Sequence, residues 1–141
     1  MSPEFNKCLR KGKIRPFSKE KNLFSKELKI AGEDLENAKD SYKSKKFKWA
    51  TIQAYFCMFH AARALIYFQG YRERSHYCLI VALRTLFVSK RLLDYRLVEI
   101  LLQGKRLREN ADYYDEWSQE SANQMIKSAQ DFIKRAKKIL K

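Results

Sequence analysis

Glycine and proline are scarce in this chain of 141 residues. There are four glycines and two prolines, and both prolines, Pro3 and Pro16, precede residue 17. Because the turns of β-sandwiches and β-barrels consume both residue types, this shortage argues against an all-β fold. Hydrophobic residues make up 45% of the chain, which is enough for a packed core, and the length fits one domain.

Long apolar runs and closely spaced pairs of cysteines are also missing from the sequence. No run approaches the ~18–20 residues that a membrane helix needs. The basic N-terminus has neither an apolar signal core nor a small-residue cleavage site. Cys8, Cys57 and Cys78 are odd in number and show no C-x-x-C spacing. We therefore expect a cytoplasmic protein with no membrane contact, reduced thiols and no zinc site.

Acidic residues are few relative to basic ones. Thirty Lys and Arg face sixteen Asp and Glu, which gives a formal net charge of +14. This excess is typical of a nucleic-acid binder, although a solvated surface or a basic face for an acidic protein would show it too. Residues 1–19 carry six of the bases and predict a basic N-terminal extension, mobile or draped on the surface. It would be either an arm for phosphate backbones or an inert tail.

Apolar residues recur at three- and four-residue spacings in five later segments, which predicts helices. The second segment is apolar around most of its circumference and is expected at the centre of the fold. Gly70 should end this helix in a left-handed conformation, and Ser75 and Ser118 should cap the third and last helices. The prediction for residues 20–141 is an all-α, up-and-down bundle of four long helices plus one short helix, covering residues 20–44, 46–69, 76 to 87 or 88, 92 or 94 to 114, and 119–140.

Motifs for phosphate loops and metal sites are absent. The chain contains neither GxxxxGK[ST] nor GxGxxG, and neither HExxH nor an EF-hand loop. Only His60 and His76 could supply imidazole ligands. We therefore expect no metal and no cofactor.

The two histidines have different sequence contexts. His60 lies in the apolar second helix, which favours a buried histidine bonded to a partner over a general base. Arg63, one turn further on, is expected to pair with an acid on a neighbouring helix. His76 follows the polar corner that contains Arg72 and Arg74, so it is either part of a helix cap or a base near phosphate-binding arginines that lower its pKa.

The densest polar cluster spans residues 105–115. Arg108 and Asp112 are four residues apart and share one face of a helix, so they could simply form an ion pair. The same stretch also combines basic, amide and phenol groups that can grip phosphate or stack on a base. Under that reading the nucleotide- or RNA-binding residues are Arg108, Asn110, Asp112, Tyr113, Arg72 and Arg74, and the catalytic candidates are Arg108 and His76.

Residues 20–140 resemble the HEPN family, named for higher eukaryote and prokaryote nucleotide-binding domains. The resemblance rests on the order and spacing of several segments in a helical domain of this length. It looks like the small stand-alone prokaryotic branch. The segments are Ala54 to Leu65, Gly70-Tyr71, Ser75-His76, Arg108 to Tyr113 and the closing helix rich in Ala, Phe and Ile.

The resemblance implies an up-and-down bundle that forms a homodimer and, in many members, pairs with a minimal nucleotidyltransferase in a toxin–antitoxin module. Active members are metal-independent ribonucleases with an Arg followed four to six residues later by His. Two copies of this motif meet across the dimer, and the RNA 2′-hydroxyl attacks the adjacent phosphate. Here Arg108 matches the Arg, but Asp112 and Tyr113 occupy the region where the His is expected. Arg72 and His76 are one residue short of the motif spacing.

Three functions follow from these observations. The first is a HEPN protein of a toxin–antitoxin or defence module that binds nucleotide, RNA or a nucleotidyltransferase without efficient catalysis, because a motif histidine is missing. The second is a metal-independent ribonuclease toxin that uses Arg108. The third is a helical protein-interaction module whose basic surface is incidental.

Overall fold

The computed structural model describes residues 1–18 and 23–141 and consists mainly of helices. Four long helices and one short helix form the body, as predicted, and a further short helix lies at the N-terminus. Two three-residue strands form a small antiparallel ribbon. In chain order the elements are α1 (Pro3–Arg10), β1 (Ile14–Pro16), α2 (Leu23–Lys43), α3 (Phe47–Phe68), β2 (Tyr71–Glu73), α4 (His76–Leu83), a π-helical turn (Arg84–Val88), α5 (Tyr95–Tyr113) and α6 (Gln119–Ile139).

The helix α3 is the centre of the bundle, as its apolar circumference predicts. Thirteen of its side chains are buried, and it packs against α2, α5 and α6. The crossing with α5 is close because Gly104 has no side chain. A Cβ at Gly104 would lie 3.0 Å from Met58 Cε and 3.5 Å from Tyr55 Cδ1. This close approach brings the next turn of α5, which carries Arg108, against Tyr55 and Phe56 of α3.

The predicted helix ends agree with the structure to within a few residues. Ser75 and Ser118 cap α4 and α6, accepting hydrogen bonds from the backbone N–H of Cys78 and Ser121 at 3.2 and 3.0 Å. Gly70 has a φ of +86° and follows the end of α3, as expected. The predicted start of the first long helix at residue 20, and the boundary between extension and domain at 19 and 20, lie outside the described residues.

The N-terminal segment is packed into the fold, so the expectation of a mobile or draped extension is wrong for the described residues. Phe5 and Ile14 are buried, and Phe5 meets the ring of Tyr71 edge-on at 5.3 Å between centroids. The sequence concealed this because basic residues surround the few apolar ones. A helix of eight residues needs only one buried stripe to dock.

A disulfide joins Cys8 of α1 to Cys78 of α4. The prediction of three reduced thiols is therefore wrong for these two residues. They are 70 positions apart, and only the folded chain brings them together. Cys57 is a free thiol, and burial raises its pKa to about 12, so it is inert at neutral pH.

The short ribbon places the N-terminal segment beside the corner that follows α3. In its antiparallel register Ile14 faces Glu73, Arg15 faces Arg72 and Pro16 faces Tyr71. The backbone N–H of Phe17 also donates to the carbonyl oxygen of Gly70 at 2.8 Å. The polar corner predicted at residues 71–74 is thus half of a strand pair, which needs a partner segment that periodicity along the chain does not reveal.

Candidate functional site

The side chain of Arg108 lies on α5 against aromatic rings from α3 and from its own helix. Its guanidinium carbon is 5.4 Å from the ring centroid of Tyr55, 5.3 Å from that of Phe56 and 5.7 Å from that of Tyr113. Its Nη1 donates a hydrogen bond to the phenol oxygen of Tyr113 at 3.1 Å. Asp112 Oδ2 is 3.7 Å from the same nitrogen, so the pair expected from the sequence is present but loose.

His76, at the start of α4, belongs to the same cluster. Its ring lies 6.3 Å from that of Tyr55, which Arg108 covers. The pKa of His76 is lowered to about 4, mainly by burial and also by the positive charges of Lys105 and Arg108, against an opposing effect of Glu109. The imidazole is therefore neutral at pH 7. The pKa does fall, but Arg72 and Arg74, expected to be responsible, are not its causes.

Two buried polar atoms in this cluster lack hydrogen-bond partners. They are Nε of Arg108 and Nε2 of His76, and no other buried side-chain nitrogen or oxygen in residues 1–18 and 23–141 is left unsatisfied. Buried polar groups are nearly always paired, so such atoms are typical of a site that water, an ion or a ligand completes. We call Arg108, His76, Tyr55, Phe56 and Tyr113 the Arg108 cluster.

The remaining predicted residues of α5 surround this cluster at the C-terminal end of the helix. The carbonyl oxygen of Asn110 accepts hydrogen bonds from the backbone N–H of Tyr114 and Glu116, which closes the helix. The rings of Tyr113 and Tyr114 are 64% and 68% exposed. Exposed aromatic rings next to a cation provide surfaces on which a nucleic-acid base can stack.

Arg72 and Arg74 lie in a different place. They line a surface pocket of about 540 Å³ together with Arg15, Arg63 and the ring of Phe17, and Arg108 does not line it. The predicted binding residues thus divide into two groups, one on α5 and one on the ribbon.

His60 and Arg63 are held by carboxylates from other elements. His60 Nδ1 is 2.5 Å from Glu27 Oε2, and its Nε2 is 4.0 Å from Asp34 Oδ2. Arg63 Nε donates to Glu73 Oε1 at 3.1 Å, and its Nη1 is 3.8 Å from Glu27 Oε1. Both residues are therefore structural, as expected, although the acids that satisfy them come from α2 and β2.

Sequence reasoning missed the aromatic half of the Arg108 cluster. Tyr55 and Phe56 belong to the segment that is apolar around most of its circumference, and nothing in their spacing shows that α5 places a cation on them. Burial raises the pKa of Tyr55 to about 12 despite the opposing charge of Arg108, so its phenol stays protonated. A buried tyrosine in an otherwise apolar helix was the available signal, since its hydroxyl needs a polar neighbour.

The described parts of the chain offer no other convincing centre for chemistry. A surface pocket of about 670 Å³ lies between the N-terminal residues and the π-helical turn, and neither Arg108 nor His76 lines it. Within residues 1–18 and 23–141, no group of three or more His, Cys, Asp or Glu is placed to hold a metal ion. No helix in the same ranges is both long and apolar enough to cross a membrane.

Comparison with known proteins identifies the family. The model of the HEPN domain matches residues 25–140, which is most of the chain and includes both Arg108 and His76. The chain belongs to the HEPN domain family. The resemblance noted in the sequence is thereby confirmed.

Two curated proteins of the archaeon Methanocaldococcus jannaschii are similar to this HEPN chain. "Putative toxin MJ0605" is 31% identical over 115 residues, covering 81% of this chain and 86% of that protein. "Putative toxin MJ0142" is 25% identical over 122 residues, covering 85% of this chain and 83% of that protein. The HEPN match begins at residue 25, so α1 and β1 of this protein precede it.

Proposed function

We propose that this HEPN protein is the toxin-type component of a toxin–antitoxin or defence module and that it binds RNA at the Arg108 cluster without efficient cleavage. The toxin assignment is supported by the names of the two archaeal relatives. The main support for an RNA site at this cluster is that two buried nitrogen atoms, one on Arg108 and one on His76, have no hydrogen-bond partner.

The chemistry of Arg108 suits an RNA phosphate. Within residues 1–18 and 23–141 no carboxylate is closer to its guanidinium than Asp112 at 3.7 Å, so its charge is only loosely compensated by these residues. A guanidinium grips phosphate through two parallel N–H donors, and a half-buried position strengthens each of them. The exposed rings of Tyr113 and Tyr114 would stack on the adjoining bases. The net charge of +14 would attract the RNA from a distance.

Weak turnover follows from the state of His76. A general base works best when its pKa lies near the operating pH, and that of His76 is lowered to about 4. The negative charge of Asp112, which lies beside Arg108, also repels a phosphodiester. A bound RNA would therefore be held without a group that readily takes the 2′-hydroxyl proton.

A metal-independent ribonuclease is the second candidate, favoured by the position of His76 and Arg108 on the same Tyr55 ring. In that reaction the unpartnered Nε2 of His76 accepts the proton of the 2′-hydroxyl. The 2′-oxygen bonds to the adjacent phosphorus, and the bond from phosphorus to the 5′-oxygen breaks with its electron pair passing to that oxygen. A proton returned by the His76 imidazolium or taken from water converts the leaving oxygen to a 5′-hydroxyl. Arg108 stabilises the charge that develops on the phosphate.

The partners belong to the same proposal. By family resemblance we expect a homodimer that brings two Arg108 clusters together and a minimal nucleotidyltransferase as the second component of the module. Light scattering coupled to size-exclusion chromatography measures the first. Co-purification from the native host measures the second.

The test is RNA binding and cleavage by the same set of variants. Fluorescence anisotropy with a 5′-hydroxyl single-stranded RNA should show binding that weakens as salt rises, and Arg108→Ala should raise Kd about tenfold. Arg96→Ala is the matched control, because Arg96 is an exposed arginine of the same helix that pairs with Asp94. Its Kd should change less than twofold.

The cleavage arm separates the two candidates. Incubation of the same RNA with chelator should leave it intact with the wild type if the first candidate is right. Cleavage by the wild type that both Arg108→Ala and His76→Ala lack would establish the ribonuclease instead. Absence of any salt-sensitive binding would contradict both and leave the helical interaction module.

A further inference from the structure

The pocket that Arg72 and Arg74 line holds an unusual concentration of positive charge. Its walls carry the guanidinium groups of Arg15, Arg63, Arg72 and Arg74 and one carboxylate, that of Glu73. Four cations against one anion leave the lining with three net positive charges. We call this cavity of about 540 Å³ the arginine pocket.

Among the residues that the structure describes, Arg63 is the only one of the four arginines that pairs with a carboxylate of the pocket. Arg63 Nε bonds to Glu73 Oε1 at 3.1 Å, and burial raises the pKa of that carboxyl while Arg63 and Arg72 act against the rise. Both residues line the pocket, and Glu73 is the one acidic residue in its lining. Arg15 makes a contact of 3.3 Å to the carbonyl oxygen of Gly12, and Arg72 lies 5.7 Å from the ring of Phe17. Neither of these contacts cancels a positive charge.

The strand register places like charges directly opposite each other. Arg15 and Arg72 are cross-strand partners in the ribbon, and side chains of such a pair emerge on the same face. Arg74 follows directly after β2 and is two residues beyond Arg72, so it continues the same face. Its backbone N–H donates to the carbonyl oxygen of Lys13 at 2.8 Å. Like charges directly opposite each other destabilise an antiparallel pair. The repulsion between Arg15 and Arg72 therefore destabilises the ribbon until an anion lies between the two side chains.

Packing contacts and a disulfide hold the strands that carry the pocket in place. Ile14 on the other face is buried, the ring of Phe17 packs on Tyr67 at 4.6 Å, and the Cys8–Cys78 disulfide ties α1 to the body of the fold. Arginines on a rigid frame can bind an anion without a large entropic penalty. A lining with three positive charges matches an anion that itself carries several charges.

We propose that the arginine pocket binds an oligophosphate group, as carried by a nucleoside triphosphate or by the 5′-triphosphate end of an RNA. The site is distinct from the Arg108 cluster and does not depend on the function proposed for it. Arg15 and Arg72 clamp the group from the two strands, and Arg74 contacts its outer end.

Inorganic tripolyphosphate is the probe that tests the site. Isothermal titration should show one equivalent bound by the wild type, with Kd at least tenfold weaker in Arg72→Gln and in Arg15→Gln. Arg10→Gln is the matched control, because Arg10 is an exposed arginine of the same N-terminal segment that does not line the pocket. Its Kd should stay within twofold of the wild type.

Thermal unfolding adds a readout that a purely structural role would not produce. Without anion, Arg72→Gln should unfold at the same temperature as the wild type or higher, because it removes the opposed charges. With tripolyphosphate, the wild type and Arg10→Gln should shift upward and Arg72→Gln should not. Absence of binding to the wild type, an equal loss in Arg10→Gln, or a lower unfolding temperature of anion-free Arg72→Gln would overturn the proposal.

Two further arms identify the source of the group and keep this site separate from the RNA site. ATP and a 5′-triphosphorylated RNA are compared with the 5′-hydroxyl RNA of the same sequence, and the one whose affinity falls in Arg72→Gln is the source. If neither falls, the assignment to these two carriers is wrong. Tripolyphosphate binding that Arg108→Ala abolishes and Arg72→Gln spares would overturn the arginine pocket while leaving the RNA site intact.

Discussion

The protein contains two pairs of histidine and arginine whose surroundings are opposite. His60 and Arg63 lie on α3, and His76 and Arg108 come from α4 and α5. The two arginines have the same side-chain exposure, 19%, and each lies over two or more aromatic rings. Burial and aromatic contact therefore do not distinguish them.

The difference is the position of the carboxylates. His60 and Arg63 share Glu27, and Asp34 and Glu73 add further negative charge. His76 lies among the cations Lys105 and Arg108, which are only partly offset by Glu109. The first pair is neutralised inside the fold and stabilises it, whereas the second remains electropositive with two unsatisfied atoms. Loosely compensated cations, rather than residue type, thus mark the candidate site.

The largest expected effect comes from removing the disulfide that anchors α4, the helix that carries His76 of the second pair. The Cys8–Cys78 disulfide closes a loop of 70 residues and anchors α4, which His76 begins. Replacing both cysteines by alanine should lower the free energy of unfolding by about 4 kcal/mol, measured with urea. NMR signals of the His76 ring should shift while those of His60 stay. Equal urea midpoints with and without dithiothreitol in the wild type would contradict this.

Removing each arginine tests the comparison directly. Arg63→Met leaves the buried Glu73 without its cation and should lower the free energy of unfolding by about 3 kcal/mol. Arg108→Met should change it by less than about 1 kcal/mol, because no carboxylate depends on Arg108 in the same way. Urea denaturation at pH 7 measures both variants. Similar losses in the two variants would show that Arg108 is structural as well.

The pH dependence of stability isolates His76. The pKa of His76 is lowered from 6.5 to about 4 in the fold, so the unfolded chain binds a proton in this window that the folded chain does not. Stability should therefore fall as the pH drops from 6.5 towards 4, by about 2 kcal/mol from this residue. In His76→Gln the loss of unfolding free energy between pH 6.5 and 4 should be smaller by that amount. In His60→Gln the part of the loss that comes from His76 should remain. An unchanged slope in His76→Gln would refute the assignment.

The smallest effect sharpens the role of Tyr113. Its hydroxyl accepts the hydrogen bond from Arg108 Nη1, but the ring is largely exposed. Tyr113→Phe should change stability by about 0.5 kcal/mol or less and weaken RNA binding a few-fold, since Arg108 loses the group that orients it. Tyr114→Phe is the control, with no hydrogen bond to Arg108 among those of the described residues. Equal affinities of the two variants for RNA would remove Tyr113 from the site.

Sequence patterns predicted the local features well. The long helices, the serine caps of α4 and α6 and the left-handed Gly70 all follow from periodicity and from the preferences of single residues, which act within one or two turns. The ribbon and the docked α1 were missed for the opposite reason. A strand of three residues has no period to detect, and its hydrogen bonds are made with a segment more than fifty positions away.

The same division holds for the candidate site. Arg108, Asp112 and Tyr113 are predicted together from the sequence because they are neighbours on one helix, and their side chains do lie together. Arg72 and Arg74, predicted alongside them, lie in another pocket. The helical class, the helix ends, the basic character and the candidates Arg108 and His76 all follow from the residues along the chain. The fold is needed to show that His76 lies beside Tyr55 and Arg108, which acids neutralise His60 and Arg63, and which cysteines pair. Those choices depend on contacts between segments far apart in the chain, where spacing carries no information about distance.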